Sequence, residues 1–207
     1  MKGLIKKDFL IMKGNLKLII VMLVVFFIMA LQGQFNISFI PSFIIVMLFM
    51  STFSYDEYNN WNAYAITLPG GRKNIVKSKF VAGLFLTLLS IVITVVLNCL
   101  VSVINSNLKF DDFVSTLLGS VSAIVLIQAI MYPFIFKYGM EKGRIILFVL
   151  SFAIVGLIVL FSKVINIPLN IISFFNNYWF IIVPIILTIS LFISYKISEK
   201  IYLKKEF

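Results

Sequence analysis

Predominantly apolar runs, each long enough to cross a bilayer, recur along this chain and are separated by short lysine-rich stretches. No other feature limits the fold so tightly, because such a run needs surroundings as apolar as itself. Of 207 residues, 61% are hydrophobic and 13% charged. A soluble domain carries about a quarter charged residues, so lipid is the expected solvent for most of this protein. Within the bilayer every backbone polar group must be paired internally, and long runs without strand-like alternation then give helices and not a barrel. The fold class is therefore all-α integral membrane, as a single transmembrane domain over residues 1–207. Six spans are expected at about 18–37, 38–53, 80–104, 113–136, 145–162 and 178–196. The first two would meet in a hairpin near Gln32 to Pro41. The basic start followed by an apolar run also suggests a signal peptide. Its leading region is long, no small-residue cleavage pattern follows, and further spans come after it, so Leu18 onward reads as a retained span.

The lysines orient these spans. With both termini in the cytoplasm, the inside segments carry sixteen of the 18 basic residues, and only Lys109 and Lys163 fall outside. That asymmetry accounts for the net charge of +10 and leaves nucleic acid unneeded as a partner. The expected place is a multi-pass position in a bacterial cell membrane.

Two cytoplasmic segments have helical character. In residues 2–17, Leu4, Ile5, Phe9, Ile11, Met12 and Leu16 share one half of a helical wheel, and most lysines share the other. This fits either an interfacial helix resting on anionic membrane lipid or a basic flank that only fixes topology. The second segment is "DEYNNWNAYAITLPGGRKN", residues 56–74. Asp56 and Glu57 would favour a helix N-terminus. Tyr58, Trp61, Ala65 and Leu68 then fall on one face, before Pro69 and Gly70-Gly71 stop the helix and turn the chain.

No phosphate-cradling GxxxxGK[ST], no HExxH, no GxSxG and no paired CxxC occurs. Histidine is absent, and Cys99 is the single cysteine. The neighbouring pairs Asp56-Glu57 and Asp111-Asp112 point about 100° apart on a helix, which is poor geometry for a shared acid–base site. They read as solvated loop ends. No charged residue lies deep in a span, which disfavours a proton-driven pump. Uncharged polar residues do occur there. Thr94, Asn98 and Gln128 would serve either as helix–helix hydrogen-bond partners or as part of a substrate path. Between the last two spans, "KVINIPLNIISFFNNYW" reads either as a short re-entrant or interfacial helix pair or as an earlier start of the sixth span.

The basic "LIKKDFLIMKGN" and the sequence "TLPGGRKNIVKSK" after the second span resemble permease subunits of ABC-2 type (type V) ATP-binding-cassette transporters. The matching pattern here is Leu68, Pro69, Arg72, Val76 and Lys79; the Gly-Gly within it departs from bulkier residues in many members. The resemblance implies a cytoplasmic coupling helix between the second and third spans that seats on a separate ABC ATPase subunit. Its contacts would come from Asp56, Glu57, Tyr58, Trp61, Tyr64, Ala65, Leu68, Pro69, Arg72 and Lys73. The alternative for Trp61 and Tyr58 is rest at the lipid headgroups. "KYGMEKGR" would give a second cytoplasmic contact through Lys137, Glu141, Lys142 and Arg144. The resemblance further implies a second permease copy or a paralogue, ATP and magnesium on the partner, no cofactor in this chain, and no enzymatic chemistry of its own. "YDEYNNWNAY" looks most like Gram-positive exporters of amphipathic, cytolytic peptides, such as phenol-soluble modulin exporters. A peptide self-immunity permease is similar. A substrate-capture subunit of a vitamin-uptake system shares the size, charge and span count but gives residues 56–74 no role. An intramembrane hydrolase is disfavoured, since histidine is absent and no acid lies buried in a span.

Overall fold

The computed structural model describes residues 2–31, 39–65, 67, 71–105, 110–146, 148–149, 152 and 169–205. All regular structure among these is helical: α1 (Lys2–Gly14), α2 (Leu16–Leu31), α3 (Ile40–Tyr58), α4 (Trp61–Ala65), α5 (Gly71–Asn105), α6 (Phe110–Tyr138), a segment α7 that begins at 140–146, and α8 (Leu169–Lys204). Stretches within α5, α6 and α8, at Gly71–Val101, Phe113–Tyr138 and Trp179–Lys204, are long and apolar enough to cross a membrane. A fourth candidate is α1 and α2 taken as one span bent by 56°. The expected span at 145–162 lies almost wholly outside the described residues, and so does the turn at 32–38.

Three boundaries differ from the sequence expectation. The third span begins not at residue 80 but at Gly71, so α5 runs for 35 residues, or about 52 Å, longer than a bilayer core. The helix that carries the sixth begins ahead of it, at Leu169, as one continuous helix of 36 residues, within which the stretch apolar enough to cross a membrane begins at Trp179. Residues 169–179 of the apolar stretch are thus helical and continuous with the rest of α8, and residues 163–168 lie outside the described residues. The third difference concerns Asp56 and Glu57. They do not open a new helix; they close α3, whose start is prepared by a proline in the first turn. Asn60 then adopts φ 47, a left-handed turn that asparagine tolerates. Only the five residues Trp61–Ala65 remain helical after it.

The core is aromatic. The Tyr132 ring stacks on Phe80 at 3.9 Å and meets Phe49 edge-on at 4.8 Å. Phe53 and Phe136 pack beside it. The Tyr132 hydroxyl donates to the Lys79 carbonyl at 3.1 Å. This wedge fits because α5 has Gly83 opposite: a Cβ there would lie 2.0 Å from the Tyr132 oxygen. Above the wedge, a seam of small polar residues joins α3, α5 and α6. The Ser42 hydroxyl lies 3.4 Å from that of Ser90 and donates to the Ser120 carbonyl at 3.1 Å. Short polar side chains of this kind let helices approach closely in lipid.

Candidate functional site

At one end of the bundle, the last turn of α3 meets α1, the start of α5 and the start of α7. Asp56 turns inward. Its carboxylate pairs with Lys7 of α1 and, at 2.7 Å, with Lys79 of α5. Lys79 also lies 2.9 Å from Asp8 of α1, and Lys7 lies 3.4 Å from the same oxygen. Two acids and two bases thus form a quartet in which Asp8, Asp56 and Lys79 are buried. Their mutual pairing is what makes such burial tolerable. It also explains why α3 keeps two acidic residues at its C-terminus, where the helix dipole disfavours them. The reading of Asp56 as a solvated loop end is overturned. Part of the α1 apolar half also faces inward. Leu4 and Met12 pack in the core, and Phe9 meets Phe85 of α5 edge-on at 4.8 Å.

Glu57 points the other way. Its carboxylate accepts from the backbone N–H of Met140 at 2.5 Å, capping the start of α7. Gly139 just before it has φ +85, and a Cβ there would lie 2.5 Å from the Glu57 carboxylate. Its N–H donates to the Ile135 carbonyl at 2.9 Å, the left-handed helix ending that glycine favours. Arg144 donates to the Ser54 hydroxyl at 2.6 Å. The segments 56–74 and 137–144 singled out in the sequence, distant along the chain, are therefore joined. An open cleft of about 660 Å³ lies between them, lined by Ser54, Glu57, Tyr58, Met140, Glu141 and Arg144.

The expected single docking face on 56–68 is divided. Tyr58 is 88% exposed and Tyr64 59%, whereas Ala65 is buried at 1%. Trp61 packs against the core, with the Lys7 ammonium 4.6 Å above its ring and Tyr64 5.3 Å away. Trp61 and Ala65 thus mount α4 on the protein, and the tyrosines face outward. The reason is that the helix expected to start at Asp56 is interrupted at Asn59 and Asn60, which resets the face. Leu68 and Pro69 lie outside the described residues. Arg72 donates to the Leu203 carbonyl at 2.5 Å, one of the free carbonyls ending α8, and Lys73 lies 3.9 Å from Glu199. The Tyr202 hydroxyl donates to Asn62 at 3.1 Å, and Lys205 donates to the Phe136 carbonyl at 3.0 Å. Burial pushes the Lys205 ammonium below its ordinary pKa, with Glu57 opposing. Lys137 is exposed beside the Tyr138 ring at 4.8 Å, and Glu141 and Lys142 are exposed.

Thr94, Asn98 and Gln128 are all buried within the single chain. Asn98 donates to the Thr94 carbonyl at 2.8 Å, while the Thr94 hydroxyl and the Gln128 amide nitrogen have no partner. These residues continue the seam between helices.

Sequence reasoning missed Asp8, Tyr202 and Lys205. Asp8 left a signal: it falls with Leu4 and Met12 on the apolar half of the α1 wheel, where a lone acid needs a buried partner. Tyr202 and Lys205 left none, because only the fold brings the end of α8 to α4.

The side chains at this end pin helices together and present Tyr58 and Tyr64. No curated protein and no solved structure matches the chain. The model of the family described as ABC-2 family transporter protein matches residues 3–203, nearly the whole length. The chain belongs to the ABC-2 family of transporter proteins.

Proposed function

We propose that this chain is the permease subunit of an ATP-driven exporter, with six spans and both termini in the cytoplasm of a bacterial cell. A separate ABC ATPase, carrying ATP and magnesium, docks on the end built from α3, α4 and α7. Two permease copies, or one copy and a paralogue, complete the pore. One observation carries the docking reading: the segments 56–65 and 139–144 converge, present Tyr58 and Tyr64 outward, and surround an open cleft. Exposed tyrosines are good interface anchors because a large rigid ring loses little freedom on binding. Arg72 and Lys73, tied to α8, would carry displacement of the docking end into the last span. A vitamin-capture subunit leaves this assembled end without a purpose.

The cargo best suited to the chain is an amphipathic, membrane-active peptide. Its support is physical: such a cargo enters sideways from the lipid and needs no buried charged site, and the seam of Thr94, Asn98 and Gln128 is polar but uncharged.

The test is purification from native membranes with the ATPase subunit, comparing wild type with Tyr58→Ala plus Tyr64→Ala. The expected result is loss of the ATPase and of permease-stimulated hydrolysis. Retention of both sinks the docking reading. In reconstituted complex, an amphipathic helical peptide should stimulate hydrolysis saturably. A flat response to such peptides alongside stimulation by a lipid or small drug overturns the cargo.

A further inference from the structure

The quartet is not a uniform clamp, and its asymmetry points to one moving member. Asp8 and Lys79 are both buried, and their 2.9 Å pair ties α1 to α5. Lys7 is different: its side chain is 22% exposed, and it spans three elements at once. It pairs with Asp56 of α3, lies 3.4 Å from Asp8 of its own helix, and holds its ammonium 4.6 Å above Trp61 of α4. Asp8 Oδ2 is buried and has no hydrogen-bond partner. A buried carboxylate oxygen left open is costly, and here it lies on the group nearest to Lys7 after Asp56. A second cavity, of about 280 Å³, reaches Asp56 and Lys79 from the α4 and α8 side, so the quartet is not sealed.

We propose that Lys7 is a positioning residue that exchanges Asp56 for Asp8 when α4 is displaced, loosening α3 from α1 while α1 stays locked to α5. This rests on the docking reading above and names how that site acts. Trp61 is the link: its ring covers Lys7, so movement of α4 carries the ammonium with it or uncovers it. The vacant Asp8 oxygen receives Lys7 and keeps the charge paired in the second state. Exchange of partners costs far less than separation of a buried ion pair. Asp56 keeps Lys79 throughout. The exchange therefore loosens one joint, α1 to α3, without leaving an isolated charge.

Two measurements test this on the permease–ATPase complex in lipid. First, Lys7→Gln should leave the ATPase bound and the thermal midpoint of the complex within a few degrees of wild type, but lower transport per ATP hydrolysed at least tenfold. Lys7→Arg should restore it. Full transport by Lys7→Gln overturns the proposal, as does a loss that tracks lost folding. Second, Lys7→Cys with Asp56→Cys, on a Cys99→Ser background, should cross-link faster without nucleotide than when the ATPase is trapped with ATP and vanadate. The closed disulfide should block stimulation until reduced. Equal cross-linking rates in the two states overturn the exchange even where docking holds. Should the wild-type chain fail to bind its ATPase, the docking reading falls and the exchange falls with it.

Discussion

At the scale of single residues, Gly83 and Tyr132 form the closest glycine contact among the described residues. Replacement of Gly83 by alanine places a methyl group against the Tyr132 oxygen and breaks its hydrogen bond to the Lys79 carbonyl. The expected cost is about 1–3 kcal/mol, read as a lower thermal midpoint in detergent. Adding Tyr132→Phe to Gly83→Ala should recover most of that loss, because the clashing atom is gone; no recovery would place the strain elsewhere. The quartet behaves differently. Removing Asp8 alone leaves Lys79 with Asp56 as its one buried acidic partner, and the expected cost stays below that of a buried charge left uncompensated, about 3–5 kcal/mol. Replacing Asp8 and Lys79 together by apolar residues should cost much less than Asp8→Ala alone, and a double-mutant cycle on the thermal midpoint measures the difference. Lys205 gives a pH signature. Its folded pKa is lowered, so an unfolded chain binds more protons than the folded one between that lowered value and 10.5. Stability should rise with pH through that window, and Lys205→Met should flatten the slope.

At the scale of elements, Gly139 decides how α6 hands over to α7. Alanine there meets both a left-handed backbone, costing about 1–2 kcal/mol, and the Glu57 carboxylate. Glu57→Ala should relieve the steric part of the Gly139→Ala defect and leave the backbone part, a split visible in thermal melts of the two single variants and the double. Helix existence was legible in the sequence, since apolar runs announce α2, α3, α5, α6 and the body of α8. Helix ends were less so. An acidic pair reads locally as a helix start, yet Asp56 and Glu57 end α3 because Lys7, Lys79 and the Met140 N–H hold them there. Those partners lie far away in sequence. Likewise the 3.6-residue period placed Tyr58, Trp61 and Ala65 on one face, and the turn at Asn60 separates the exposed Tyr58 from the buried Ala65.

At the scale of the molecule, the described lysine-rich segments and the tyrosines share one end. Orientation by positive charge, an expectation from composition, then becomes a test of the whole arrangement. On a Cys99→Ser background, single cysteines replacing Tyr64, Glu141 and Lys204 should all react with an impermeant reagent only after the cytoplasmic face is opened. Labelling of any one from outside would overturn the six-span topology. The candidate site was legible in two separate pieces, 56–74 and 137–144; their union through Glu57, and the quartet beneath, required three dimensions. The Asp8–Lys79 pair carries one more consequence, for the order in which the protein is made. Asp8 precedes Lys79 by 71 residues, and at about 5–20 residues per second the ribosome delivers the lysine roughly 4–14 s after the acid. Through that interval the first helix lacks its buried partner on α5, and its lysine-bearing side gives it a resting place on anionic lipid. Chains arrested before Lys79 has emerged should therefore leave α1 open to added protease, and longer ones should protect it. The first helix to be made is fully fastened only once α5 has followed it.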